Sequence, residues 1–524
     1  MATVRTSWSL DDPATERVRT ARADLVEEVS VDATDDPVSV DAVTGADTIV
    51  ATFDQRHGPF TEYRRTLAEA GGQLHERIDY RLRVPWFGVL FVLPMRWTLR
   101  HRPANDDHQP WWSPRGRLDA RQVLVLGLLG AASVVAGYLN TLFTQTSTFA
   151  AKDFGIDKHG LAVAGTVVRL GIVFALPLTL AADRIGRRKA MLIAAWTAPV
   201  IGTLGALAPN FAVLTATQAV SRPLGLALDI LVAVVAAEEM SRDGRAYAVS
   251  VLAMAAGFGA GLCVMALPLA DLGPNGWRYV YVVPIVFLVI ALDLLRRLPE
   301  TARFEHTIET NTRNVRPQRS RFVLLAVVAL IANIFVAPAS FFQNNYLETV
   351  RHFSASRISL FTLATQTPAG VGLLIGGRLA DARGRRFLGA AALLGGTALA
   401  VVSFAVGGWG MWASAFVGGT IAGAGYPALF VYRTELFPTG SRSWVGGVLT
   451  ATALVGGSAG LLGAGQLLDH HSYGSVMGGL ALAEVVVAIL VLTRYPETAH
   501  RELEELNPED ADVPAGEQTA SRPR

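Results

Sequence analysis

The sequence predicts an all-α membrane protein: about twelve transmembrane helices in two parallel six-helix repeats, preceded by a small α+β segment. Three observations carry this prediction. Only 17% of the 524 residues are charged and 51% are hydrophobic, where a soluble protein carries about 25% charge. The charge is dense before Arg121 and after Arg494, and the stretch between is divided into apolar runs of membrane-crossing length. Within that stretch, three polar signatures recur at nearly one offset.

A spanning helix needs about 20 mostly apolar residues, and the runs from Val123–Phe143 to Val476–Thr493 meet that length. Ala190–Ala208 and Phe211–Ala236 are separated only by Pro209 and Asn210, which demands a tight turn. A soluble helical core is excluded because most of these runs have no polar face. One set of loops carries the clustered arginines, among them Arg184, Arg187, Arg188, Lys189, Arg242, Arg245, Arg296, Arg297, Arg383, Arg385, Arg386 and Arg442. The other set carries little beyond Lys152, Lys158, Arg351 and Arg357. Lys/Arg excess marks the cytoplasmic side, so both termini are expected there, with the plasma (inner) membrane as location.

The repeat rests on position. Asp183 with Arg184, Gly186, Arg187 and Arg188 follows the second run, and Asp381 with Arg383, Gly384, Arg385 and Arg386 follows the eighth. Glu238 stands seven residues before Arg245, and Glu435 seven before Arg442. Pro299-Glu300-Thr301-Ala302 closes the first half and Pro496-Glu497-Thr498-Ala499 the second. The paired signatures lie 198, 197 and 197 residues apart and face the same side. Parallel repeats of this kind are related by an axis along the membrane normal. The expected division is an extension over 1–118 (partly disordered), bundles over 119–300 and 322–495, a central loop over 301–321 and a tail over 496–524.

At these residues the chain resembles the major facilitator superfamily, most closely its sugar-porter and metabolite:proton symporter branch. The resemblance runs from Arg121 to about Leu506 and includes Gly377-Arg378-Leu379-Ala380-Asp381 with Gly384-Arg385-Arg386, and Tyr432-Arg433-Thr434-Glu435-Leu436-Phe437-Pro438 with Arg442. It implies a secondary transporter that moves a small organic solute, a metabolite or organic anion, by rocker-switch alternating access, with proton symport as the expected coupling. Drug efflux or uncoupled facilitated diffusion stays open beside this, as does a transporter-like sensor signalling through the N-terminal segment. Sugar porters carry an aspartate after Gly-Tyr in the first span, whereas Gly137-Tyr138 is followed here by Leu139 and Asn140. Their paired glutamines are also missing between Phe335 and Phe342. Both departures argue against a sugar.

The resemblance implies that Asp183 and Asp381 face helix N-termini of the opposite half, where free N–H groups attract a carboxylate. Arg187, Arg188, Arg385 and Arg386 would pair with Glu238, Glu300, Glu435 and Glu497 in a latch on the cytoplasmic side. Arg169, Arg222 and Asp229 lie inside apolar runs, where each charge costs roughly 2.5–3.5 kcal/mol on insertion scales. Each is therefore expected to face a cavity or a partner. Arg222 and Asp229, seven apart, share a helix face; they suit either a static ion pair or a proton carrier tuned by its arginine. Paired guanidiniums also suit an anionic solute. Among the polar interruptions, Asn140, Gln218, Asn333, Gln366 and Tyr426 lie nearest mid-span and are the candidates for solute contact.

In the extension, Thr48–Phe53 reads as a strand, and so does the alternating run from Leu74 to Val84, with a helix expected over Thr61–Ala70. Pro85–Met95 is apolar but too short to span, and Trp86, Phe87, Trp97, Trp111 and Trp112 suit the membrane surface. No phosphate loop, nucleophile motif or metal-ligand spacing appears, so an enzyme, a cofactor and a metal are not expected. The net charge of +2 gives no reason to expect nucleic acid. The expected partners are the solute, protons and the lipid bilayer, with the chain acting as a monomer. The single cysteine, Cys263, allows no internal disulfide.

Overall fold

The computed structural model of the chain describes residues 2–11, 14–22, 27–29, 48–55, 60–82, 84–101, 118–240, 245–300, 318–430, 432–437 and 442–497. The acidic stretch Asp32–Gly45, to which the disorder expected in the extension belongs, and the tryptophans Trp111 and Trp112 lie outside these residues.

The extension is a five-stranded antiparallel sheet in the order β1-β5-β4-β3-β2, with β1 Ala2–Ser9, β2 Glu27–Val29, β3 Thr48–Gln55, β4 Phe60–Ala70 and β5 Gln73–Leu82. The helix expected over Thr61–Ala70 is therefore a strand. Gly71 and Gly72, with φ of 57° and 75°, make the two-residue turn that joins β4 to β5; two positive-φ residues are what such a hairpin requires. The strand was disguised by a charge at an inward position. Arg65 is fully buried and binds Glu27 at 2.6 Å and Glu76 at 3.3 Å. Tyr63 donates to the same Glu27 carboxylate. Burial, and then the Glu27 charge, push the Tyr63 hydroxyl up, so it stays a donor. A helix, Gly88–Arg100, lays Met95 and Leu99 on Val4, Phe60 and Ile78 of the sheet and leaves Val89, Leu93 and Trp97 exposed.

Before that helix, Pro85 packs at Gly127 and Phe87 at Gly130 of the first span. Between them Trp86, at φ 64°, donates its indole N–H to Asp293 at 2.9 Å. The extension is thus fastened to the first and sixth spans. The first span begins in a capping box: Asp119 accepts from the Gln122 N–H at 2.7 Å, and Gln122 from the Asp119 N–H at 3.1 Å.

Among the described residues, nine helical stretches are long and apolar enough to cross a membrane. These are Ala120–Asp153 (first span), Arg187–Leu207 (third), Phe211–Ala236 (fourth), Ser250–Leu272 (fifth), Trp277–Arg297 (sixth), Arg319–Thr349 (seventh), Arg385–Ala405 (ninth), Val445–Leu467 (eleventh) and Tyr473–Arg494 (twelfth). Three more complete the predicted twelve. The second span is Lys158–Leu170, a 3₁₀ segment Gly171–Phe174 and Ala175–Ile185; the eighth is Ala355–Gln366 followed by Ala369–Arg383; the tenth is Gly408–Phe430. Pro209 and Asn210 make the tight turn the sequence demands, with Asn210 capping the fourth span through the Val213 N–H at 2.9 Å.

The packing repeats. A Cβ on Gly259 would stand 2.0 Å from the Val134 carbonyl oxygen, so the fifth span meets the first backbone to backbone. A Cβ on Gly456 would stand 2.0 Å from the Leu330 oxygen, and the eleventh span meets the seventh in the same way. Such close approach is a device of helix packing in lipid, where dispersion and not the hydrophobic effect holds helices together. Gly257, Gly261 and Gly463 face open space.

Candidate functional site

The loops bearing the repeated signatures define one face of the molecule, called here the basic-loop face; the opposite face is the far face. On the basic-loop face, Gly186 (φ 100°) and Gly384 (φ 93°) each begin a span in a backbone conformation that a side chain resists. Glu300 accepts the Arg188 N–H at 3.0 Å, and Glu497 accepts the N–H groups of Arg385 at 3.0 Å and Arg386 at 3.3 Å. Each glutamate thus caps the helix that follows its glycine, where the dipole favours negative charge. Arg188 reaches back to the carbonyls of Leu298 and Leu295, both at 2.7 Å, and Arg386 to that of Leu492. These bonds act within each half: Glu300 ties the end of the sixth span to the third, and Glu497 the end of the twelfth to the ninth. The side chains of Asp183, Arg184, Glu238, Arg245, Asp381, Glu435 and Arg442 lie outside the described residues. A residue that the sequence did not single out, Glu239, binds Arg121 at 3.3 Å. Its neighbour Glu238 drew attention because it has a counterpart in the second half, and Glu239 has none.

Midway through the membrane, the second and fourth spans cross at Gly171. A Cβ there would lie 2.2 Å from the Ala219 oxygen and 3.1 Å from Pro223 Cγ. Arg169 and Arg222 flank that crossing and lie within electrostatic reach of each other. Among the described residues, Nε of Arg222 is buried without an acceptor and Oδ1 of Asn140 without a donor; Asn140 faces Gly225, one turn along the fourth span. Arg169 points at the other half: a Cβ on Gly457 of the eleventh span would come within 3.3 Å of its Nη1. Asn333, half-buried on the seventh span beside Gly457, donates to its own helix at Ala329 (3.0 Å).

Asp229 is exposed and within electrostatic reach of Tyr426 on the tenth span, so it looks into the space between the halves. Seven residues set it about 10 Å from Arg222 along the helix. Among the described residues no ion pair joins the two, which corrects the static pair considered from the sequence. Tyr426, 55% exposed, stacks on Phe430. Gln366 is exposed where the eighth span breaks. Gln218 is a second correction. It is fully buried and faces the Gly202 carbonyl of the third span at 3.4 Å, away from the space between the halves.

Most described hydrogen bonds and ion pairs between the halves lie on the far side, where Lys158 also reaches the Leu468 carbonyl at 2.9 Å; the deepest runs from Thr166 to the Ser458 carbonyl at 3.5 Å. Asn344 donates to Gln145 at 2.9 Å, Lys152 pairs with Glu348, and Ser359 donates to the Val264 carbonyl at 2.7 Å. Asp271, at the end of the fifth span, accepts from the N–H groups of Ala355 and Ser356, both at 2.8 Å, and from the Ser356 hydroxyl at 2.6 Å. It caps the eighth span from across the interface. Ser354-Ala355-Ser356 announces a helix start, but nothing in the sequence says that a residue 84 positions away completes it. Glu484, on the twelfth span, is fully buried with neither oxygen bonded among the described residues.

The sequence profile of the Major Facilitator Superfamily matches residues 127–364 and 323–521. Comparison with curated proteins finds no match. Several solved structures are similar. A partially occluded inward-open form of the xylose transporter XylE from E. coli aligns at a TM-score of 0.61 and 14% identity, over 73% of this chain and 100% of that one. The nucleoside transporter NupG aligns at 0.57 and 13%, over 71% and 100%. An inward-facing, unoccupied bacterial homologue of the human lysosomal transporter Spinster aligns at 0.55 and 15%, over 71% and 95%. At these identities the likeness is one of fold.

Proposed function

The chain belongs to the major facilitator superfamily, a multi-pass membrane transporter rather than an enzyme, and from that premise we propose that it carries a small organic solute by proton-coupled symport through rocking of its two halves. The observation that supports this most is the one-sided closure. The described bonds between the halves gather toward the far face, while Asp229 and Tyr426 remain accessible nearer the basic-loop face. That is one of two end states of an alternating-access cycle.

The halves that rock are 119–300 and 322–495, joined by the loop over 301–321. The extension over 1–118 and the tail over 496–524 stand on the cytoplasmic side of the plasma membrane, as the arginine-rich loops argue, and the chain acts as a monomer. Asp183 and Asp381, with Glu238, Glu435, Arg245 and Arg442, close the basic-loop face in the opposite end state. Asp229 carries the proton: it is a membrane carboxylate that faces an accessible space, with no arginine paired to it among the described residues. The experiment is transport in proteoliposomes. Asp229→Asn is expected to abolish uptake driven by a pH gradient and to retain counterflow at equal pH. Full gradient-driven uptake by that variant refutes the carrier role.

A further inference from the structure

We propose that Arg169 and Arg222 form a seat for a carboxylate, which makes the solute a small organic anion. Placing that carboxylate on the solute rests on the transport reading; the seat itself does not.

Depth comes first. Arg169 and Arg222 each lie 11 residues from the far-face ends of their spans, Lys158 and Phe211, or roughly 16 Å along the helix. Both therefore sit near the middle of the bilayer, where the crossing at Gly171 brings their helices into contact. Two like charges at that depth repel each other, and each is desolvated, so the pair is a burden without an anion. No anion is supplied by the protein among the described residues: Asp229 is two turns away, and the Arg222 Nε has no acceptor. A structural arginine in such surroundings would be paired. Gly457 and Gly225 present no side chains where Arg169 and the Asn140 oxygen project. A guanidinium donates in a planar fork that matches a carboxylate. The unbonded Asn140 Oδ1, beside Gly225 one turn from Arg222, calls for a donor, which a hydroxyl or N–H on the same solute supplies. An anion in the seat and a proton on Asp229 then favour each other, so the two loads enter together.

The test uses formate, the smallest carboxylate, on the purified full-length protein in nanodiscs, with chloride at equal ionic strength and pH as reference. Wild type is expected to gain roughly 1–3 °C in Tm in formate over chloride. Arg169→Gln and Arg222→Gln are each expected to lose the gain, and Arg169→Lys and Arg222→Lys, which keep the charge and guard against misfolding of the neutral variants, to keep part of it. No gain in wild type, or an equal gain in the double glutamine variant, overturns the seat. A parallel measurement of flux in proteoliposomes, with lactate and gluconate against glucose and uridine, separates this inference from the transport reading. Flux of glucose or uridine without a formate effect removes the carboxylate seat and leaves transport standing. A formate effect that both glutamine substitutions remove, without flux of any of the four, keeps the seat and counts against transport.

Discussion

Asp271 offers the sharpest handle on the conformational equilibrium. Its carboxylate takes three hydrogen bonds at 2.6–2.8 Å from the start of the eighth span, and it belongs to the other half. A hydrogen bond to a charged group contributes about 1.5–3 kcal/mol when buried. Asp271 is exposed, so solvent competition reduces the whole set to about 1–2 kcal/mol. These bonds exist only while the far face is closed. Asp271→Ala should therefore lower the ratio of far-closed to far-open molecules about 5–30-fold. Spin labels at Leu207 and Trp409, both exposed near the far-face ends of their spans, report this as a growing long-distance population in pulsed electron resonance, with Cys263 replaced by serine. Asp271→Asn, which keeps one acceptor, should fall between. An unchanged distance distribution in a folded Asp271→Ala protein would refute the reasoning and leave the closure to the other contacts between the halves, such as Gln145–Asn344, Lys152–Glu348 and Ser359–Val264.

Three further outcomes follow from the same geometry. Glu300→Gln and Glu497→Gln each remove a charged helix cap and should cost about 1 kcal/mol, seen as several-fold faster amide exchange at the starts of the third and ninth spans. Asp183→Asn and Asp381→Asn should remove most transport while surface expression stays near wild type; wild-type transport by both would reduce these residues to topology markers. Glu27→Gln breaks a fully buried ion pair with Arg65 and should destabilise the sheet by about 3–5 kcal/mol, measured as accelerated exchange across β4 and β5 with the spans unaffected.

What could be read from the sequence follows the physics that sets each feature. Spans were legible because lipid demands about twenty apolar residues in a row, a local property. The repeat was legible because Glu300 and Glu497 do the same capping work at positions 197 apart. The direction of that work was not: a glutamate at the end of a half can reach its own half or the other, and only the fold decides. Strand β4 was hidden by Arg65, whose burial depends on Glu27 arriving from 38 positions away. Gln218 and Asn140 look alike in sequence as polar interruptions, yet one faces the third span and the other the fourth. The roles of Asp271 and Arg169 need the partner half in place, and pairing at such separation leaves no local trace.

The two halves share their mechanical parts and differ in their chemical ones. Gly186 and Gly384, Glu300 and Glu497, and the close contacts at Gly259 and Gly456 occur in both. Arg169, Arg222 and Asp229 occur in the first half, whereas Gly457 of the second half faces Arg169 and Tyr426 lies within reach of Asp229. Duplicated parts fit a motion in which the halves tilt alike. A solute held by charge, by contrast, must travel with the half that owns the charges. On the proposed cycle the solute therefore stays seated on the first half while the second slides past it, and Gly457 marks where that sliding brushes the Arg169 guanidinium. Substitutions at Arg169 and Arg222 should then act on affinity, and those at Tyr426 on the rate of exchange. Equal effects on affinity from both halves would place the solute between them and not on one.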